Sequence, residues 1–207
     1  MRALYDSFVL IPPSDAGAAG FRVSPRTRSL FSVRLWGPLH PLWADRFTRG
    51  LSNVGLSILN GFARQDASGS WGAEFLVMPM PGAADPEKID YLSLTQDPPP
   101  PHAPPLVLDG FALDGSPERG GLLFLEVRGP DRVGFLGSLL RTLAERDLLP
   151  REMTVVTRDG EACDRFLLAT ADGRLPGDET RRSLEEELKQ HVRSDAPPHL
   201  DSPSPRP

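Results

Sequence analysis

The sequence predicts an α+β protein built from two ferredoxin-like units of the split β-α-β kind. Two observations carry this. The order strand, helix, strand, strand, helix reads twice along the 207 residues. The two readings also superpose at a nearly constant offset. Gly37-Pro38 falls on Gly129-Pro130, Leu51 on Leu143 and Leu56 on Leu148 at 92 residues, with Asp66 on Asp159 at 93 and Phe75 on Phe166 at 91. The helix positions Trp43 and Phe47 fall on Phe135 and Leu139 in the same way.

In chain order, residues 3–11 are aromatic and branched and read as a strand. Residues 12–28 are rich in Pro, Gly, Ala and Ser and read as a loop. Leu30–Trp36 is a second strand. Gly37-Pro38-Leu39-His40-Pro41 makes a turn into a helix, where Trp43, Phe47 and Leu51 recur at helical spacing until Gly55. Leu56–Arg64 and Gly72–Met78 form a hairpin. Asp85-Pro86 opens a short helix, Glu87–Leu94, as an N-cap followed by proline. Gln96–Pro105, with Pro98 to Pro101 in a row, reads as an extended linker, and an edge strand is expected within Pro105–Leu113. The second unit follows: strand Leu122–Arg128, loop Gly129–Gly134, helix Phe135–Arg146 with one apolar stripe, then a hairpin Arg151–Thr157 and Ala162–Ala171. Asp178 is placed to cap a last helix, Glu179–Val192.

The organisation expected is an N-terminal strand and loop (1–28), a first unit (29–97), a Pro-rich linker with an edge strand (98–119), a second unit (120–193) and a disordered tail (194–207). Each unit as read lacks one strand of the split β-α-β pattern. Pro105–Leu113 is the candidate for the first. The strand at 3–11 is the candidate to complete the second sheet, which would interlock the two halves.

Composition narrows function. A net charge of −5 with no basic cluster argues against nucleic acid as a partner. The chain has 39% hydrophobic residues but no apolar run near 18 residues, so no membrane partner is expected. A single cysteine, Cys163, excludes an intramolecular disulfide and a cysteine-based metal cluster, which suits a cytoplasmic setting. Glu161 and Asp164 would raise the Cys163 pKa, so a passive strand thiol is expected. The four histidines lie at 40, 102, 191 and 199, with no metal-ligand spacing. Gly129 and Gly134 are not followed by Lys-Ser/Thr, so the loop is not a P-loop. No catalytic residue, metal or cofactor is expected, and the chain is read as a non-enzyme.

The loop Gly129-Pro130-Asp131-Arg132-Val133-Gly134 is the candidate site. A glycine at the mouth of a helix lets backbone N–H groups approach a ligand carboxylate, and helix N-termini favour anions. Asp131 can accept from an amino group, and Arg132 can pair with a carboxylate. The bland reading stands beside it: Asp131 caps the helix, Gly134 permits close packing, and Arg132 is solvated. Met153, Thr154 and Val155 would lie beside the loop, as pocket lining or as a plain sheet face.

The second unit, over roughly residues 120–192, resembles the ACT domain family. The residues that carry the resemblance are the Gly129–Gly134 loop, the Leu-rich helix, Thr157-Arg158-Asp159-Gly160 and Asp164-Arg165-Phe166. They are similar to the ACT repeats at the C-terminus of nitrogen-sensing uridylyltransferases, with Val133 where that family usually has proline. Two copies without an enzyme domain are similar to small tandem-ACT regulators of the glycine cleavage repressor type. The resemblance implies a small-molecule ligand, in particular an amino acid. The expected contacts are Asp131, Arg132, Val133, Gly134, Phe135, Met153 and Thr154. It also implies allosteric action through a homo-oligomer or a regulatory protein partner. The first unit departs from the pattern: its loop is Gly37-Pro38-Leu39-His40-Pro41-Leu42, and Leu42 stands where Gly134 does. The alternative is an ACT-like interaction or oligomerisation module that no longer binds ligand.

Overall fold

A computed structural model describes residues 17–96, 104–115 and 120–193. Eight strands form one open sheet in the order β1-β2-β4-β3-β7-β8-β6-β5. The first repeat comprises β1 (Gly20–Pro25), β2 (Phe31–Gly37), α1 (Trp43–Asn53), β3 (Leu56–Gln65), β4 (Trp71–Pro79), a 3-10 turn (Pro86–Lys88) and the short α2 (Ser93–Gln96). The second comprises β5 (Gly110–Asp114), β6 (Leu123–Pro130), α3 (Phe135–Ala144), β7 (Leu148–Arg158), β8 (Glu161–Thr170) and α4 (Asp178–His191). This is the expected α+β fold, with two βαββαβ-like repeats in the tandem ferredoxin-like, ACT-type arrangement.

The repeats join at β3 and β7, which pair antiparallel from Asn60↔Val156 to Arg64↔Glu152. At the repeat offset of 92, Thr154 is the counterpart of Phe62, and these two residues pair with each other. The pseudo-twofold axis therefore passes between them, normal to the sheet. Both seam strands carry an irregularity at the same place, between Ile58 and Asn60 in β3 and between Pro150 and Glu152 in β7.

Strand alternation explains which face is buried. Val33, Leu35, Ala63, Phe75 and Val77 from the first repeat, and Leu125, Val127, Met153, Phe166 and Leu168 from the second, point to one side and are almost fully buried. Phe47, Leu51, Leu139 and Leu143 from α1 and α3 cover that side, and Leu184 and Leu188 from α4 extend the cover. The two central helices meet closely at Gly137, where a Cβ would stand 2.5 Å from Arg49 Cγ.

The edges differ from the sequence expectation. The strand completing the second repeat is β5, paired with β6 from Gly110↔Arg128 to Asp114↔Phe124. The sequence reading gives that place to residues 3–11, which lie outside the described residues, and gives Pro105–Leu113 to the first repeat. The first repeat is instead completed by β1, within the stretch read as loop, and paired with β2 from Gly20↔Trp36 to Pro25↔Phe31. Each repeat thus carries its extra strand ahead of its first strand, folded back as a hairpin, and among the described residues no edge strand is exchanged between the halves. The helix expected over Glu87–Leu94 is also absent. Asp85 does accept a hydrogen bond from Glu87 N, but Ile89 is extended, and Asp90 Oδ1 accepts from Leu92 N and Ser93 N in a turn that competes with helix. At α4 the cap is Gly177, and Asp178 is the first helical residue without a capping hydrogen bond. No helix among the described residues is long and apolar enough to cross a membrane.

Candidate functional site

The loop joining β6 to α3 opens onto a cleft between the two repeats. The second repeat contributes Asp131 to Gly137, together with Val155, Thr157, Ala162 and Asp164 from the β7–β8 hairpin. The first repeat contributes Thr48 and Ser52 from α1 and the start of β3, Leu56 to Ile58. The cleft encloses about 430 Å³ of space including its open mouth.

Gly134 is the α3 N-cap at φ +87°, a left-handed conformation that favours glycine. No side chain caps the helix, so Asp131 does not play that part. Its carboxylate takes a hydrogen bond from Thr157, and its backbone N donates to Gly160 O at 2.8 Å. A Cβ at Gly134 would stand 2.8 Å from Pro104 Cγ, and Ser138 Oγ donates to Pro104 O at 2.7 Å. Residue 104 therefore packs over the outer side of the helix mouth, and the absence of a side chain at 134 serves that contact.

Asp164 is the chemically unusual member. It lies on the buried face of β8 and is 1% exposed. Oδ1 accepts from Val156 N at 3.3 Å, while Oδ2 has no hydrogen-bond partner among the described residues. Burial first, and the Asp131 carboxylate second, push its pKa up to about 7, against a partial offset from Val156 N–H. Asp131 is also raised by burial, with Thr157 pulling the other way. Two carboxyl groups thus share a confined cleft, and the deeper one holds its proton into the neutral range. Such a group is rare in a structural core and common where a ligand supplies the missing partner.

Of the residues expected from sequence, Asp131, Arg132, Val133, Gly134 and Phe135 line the cleft together. Met153 is fully buried in the core. Thr154, its neighbour along β7, alternates to the opposite face of the sheet, away from the loop. Asp164, Ala162, Thr48 and Ser52 also line the cleft, and nothing in the local sequence around the loop points to them. Thr48 and Ser52 donate their hydroxyl hydrogens to their own helix, to Ala44 O at 2.9 Å and Thr48 O at 3.0 Å, so each oxygen can only accept from a further partner.

The matching place in the first repeat is filled. Trp71 and Ala73 stand where Ala162 and Asp164 do, at an offset of 91, and Trp43 stands where Phe135 does. Trp43 is fully buried, with its ring centroid 5.2 Å from that of Trp71 in an edge-on contact. The second repeat has an alanine where the first has this tryptophan, and its counterpart site is open.

No family model and no curated protein matches the sequence. Among solved structures the chain is similar to aspartate kinase from Synechocystis at 17% identity and a TM-score of 0.42, over 79% of this chain and 27% of that one. The chain spans about a quarter of that protein's length, and a likeness of this size says nothing about function. Among the described residues no group of three or more His, Cys, Asp or Glu is placed to hold a metal ion.

Proposed function

We propose that the chain is a non-catalytic regulatory module that senses a small amino acid in the cleft between its repeats. The observation that carries the reading is the buried Asp164 carboxyl, with one oxygen unpartnered, lining a cleft that also holds Asp131. A ligand ammonium group would give that oxygen its missing partner and favour the ionised form. The uncapped first turn of α3, at Leu136 and Gly137, presents N–H groups and a helix dipole to a carboxylate at the other end of the same ligand. Both repeats line the cleft, so bound ligand would favour one arrangement of the pair and report it through self-association or to a protein partner.

A thermal-shift screen against the standard amino acids at millimolar concentration tests this. A ligand at about 100 times its Kd adds about 2.7 kcal/mol, which for a chain of this length raises Tm by roughly 5–10 °C. Ala162→Trp, which copies Trp71 of the first repeat, is expected to abolish the response while keeping a cooperative melt. If no amino acid shifts the wild-type melt at 10 mM, the reading fails. The second reading is an interaction module without ligand. It is favoured by the filled first-repeat site and by Val133, which is 44% exposed at the lip of the cleft.

A further inference from the structure

The sheet has a second face, turned away from all four helices. Its middle row runs across the seam and contains six residues that decide what can lie on it. Arg34, Glu74 and Phe62 come from the first repeat, and Thr154, Arg165 and Glu126 from the second. Arg34 Nε donates to Glu74 Oε2 at 3.0 Å, and Arg165 Nε donates to Glu126 Oε2 at 2.7 Å. These two ion pairs occupy equivalent positions, because Glu126 is the counterpart of Arg34 at an offset of 92 and Arg165 that of Glu74 at 91. The charges are reversed. The repeats have kept one ion pair in one place and inverted its sign.

We propose that this face binds a second copy of the chain, sheet against sheet, with the first repeat of each copy over the second repeat of the other. The dimer axis then lies in the plane of the interface, parallel to the central strands. Since the row passes through the pseudo-twofold axis, that operation lays it over its own reverse. Arg34 comes to face Glu126 of the other copy, Glu74 faces Arg165, and Phe62 faces Thr154. The neighbouring rows agree. Arg64 meets Glu152, Trp36 meets Phe124, and Leu76 meets Cys163. The other symmetric arrangement, like repeat over like repeat, would set Arg34 on Arg34, Glu74 on Glu74 and Arg165 on Arg165. The sign reversal selects the first and opposes the second.

Size is adequate. Eight strands at about 4.8 Å, with roughly six residues of each in the pleat, give a face of about 40 by 20 Å, or about 800 Å² per copy. That is the share of each partner in a standard stable interface. Packed sheets cross at about 30°, which displaces the outer strands and leaves the residues near the axis opposed. This proposal does not depend on ligand binding in the cleft.

The test uses the full chain and two swapped variants, Arg34→Glu/Glu74→Arg and Glu126→Arg/Arg165→Glu. Each keeps an ion pair within its own sheet and sets like charges against the other copy. Light scattering at about 100 µM is expected to give twice 22.6 kDa for the wild type and a monomer for each variant alone. An equimolar mixture of the two variants should recover the dimer, because each then meets the complementary sign on both repeats. A monomeric wild type, swapped variants that still dimerise alone, or a mixture that stays monomeric would each overturn the proposal. Arg26 and Arg128 also contact the two glutamates, so each swap adds repulsion inside its own chain. Thr154→Lys leaves every ion pair in place and covers the case in which a swapped chain fails to fold. It sets an ammonium group against Phe62 of the other copy and is expected to weaken dimerisation at least tenfold. An unchanged dimer would overturn the proposal equally.

Discussion

Asp164→Asn is expected to stabilise the protein at pH 8, by about a third as much at pH 5, and hardly at all below pH 3.8. The Asp164 pKa rises from an ordinary 3.8 to about 7 on folding. Between these values the folded chain holds a proton that the unfolded chain has released, so wild-type stability falls as pH climbs through the window and levels off above it. The full difference, about three pH units, corresponds to at most about 4 kcal/mol. Relaxation and water entry reduce that, and a gain of about 2 kcal/mol at pH 8 is the central expectation. At pH 5 the folded carboxyl is protonated and similar in shape to the amide, which can still accept from Val156 N, so only the ionisation of the unfolded wild-type chain separates the two proteins there. Urea unfolding of both proteins at the two pH values measures it. The same pH dependence in both proteins would mean that Asp164 is not the titrating group. A stabilising variant that also loses the amino-acid response would show the carboxylate being kept for binding at the expense of stability.

Trp43→Ala is expected to have the largest effect in the opposite direction. Trp43 is fully buried, and its ring lies 6.1 Å from that of Phe47, 5.2 Å from Trp71 and 6.3 Å from Phe75. Removing a buried tryptophan costs about 3–5 kcal/mol. Part of this is offset, because Trp43 Nε1 is buried without a partner and that penalty disappears with it. The net loss should be about 2–4 kcal/mol, or a fall in Tm of roughly 5–15 °C. The void would occupy the first repeat's counterpart of the ligand cleft, and its apolar lining would keep it dry. Added indole should therefore restore several degrees of Tm to the variant and none to the wild type. If Trp43→Ala melts within about 2 °C of the wild type, this aromatic cluster is not a rigid core.

The second repeat was the more legible half. Leu123, Leu125 and Val127 alternate into the core, and Phe135, Leu136, Leu139, Leu140 and Leu143 fall on one helical stripe, all of them buried. The first repeat hid its edge strand. Gly20 and Pro25 at the ends of β1 read as loop chemistry, although Phe21 and Val23 between them already alternate with Arg22 and Ser24. The candidate loop could be found from its glycines, but a single strand of text does not reveal what faces it. Asp164 and Ala162 come from the far side of a hairpin, and Thr48 and Ser52 from the other repeat. A signal for them did exist in the repeat alignment, where a tryptophan and an alanine in one copy become an alanine and an aspartate in the other. Thr154 was misplaced for a simpler reason. Nearness along a strand is not nearness in space when successive side chains point to opposite faces.

The strand-first order of each repeat has a consequence for how the protein avoids uncontrolled growth. It puts β1 and β5 at the two outer margins of the sheet, where unpaired backbone groups invite a further strand. Both are short, at six and five residues. β1 ends in Pro25, which has no N–H to offer a neighbour, and β5 runs from Gly110 to the charged Asp114. The long strands β3 and β7 are kept inside, paired with each other from Asn60↔Val156 to Arg64↔Glu152. The sheet is therefore blunt sideways, and strand-by-strand extension into a fibre is disfavoured by the same ordering of elements that closes each repeat.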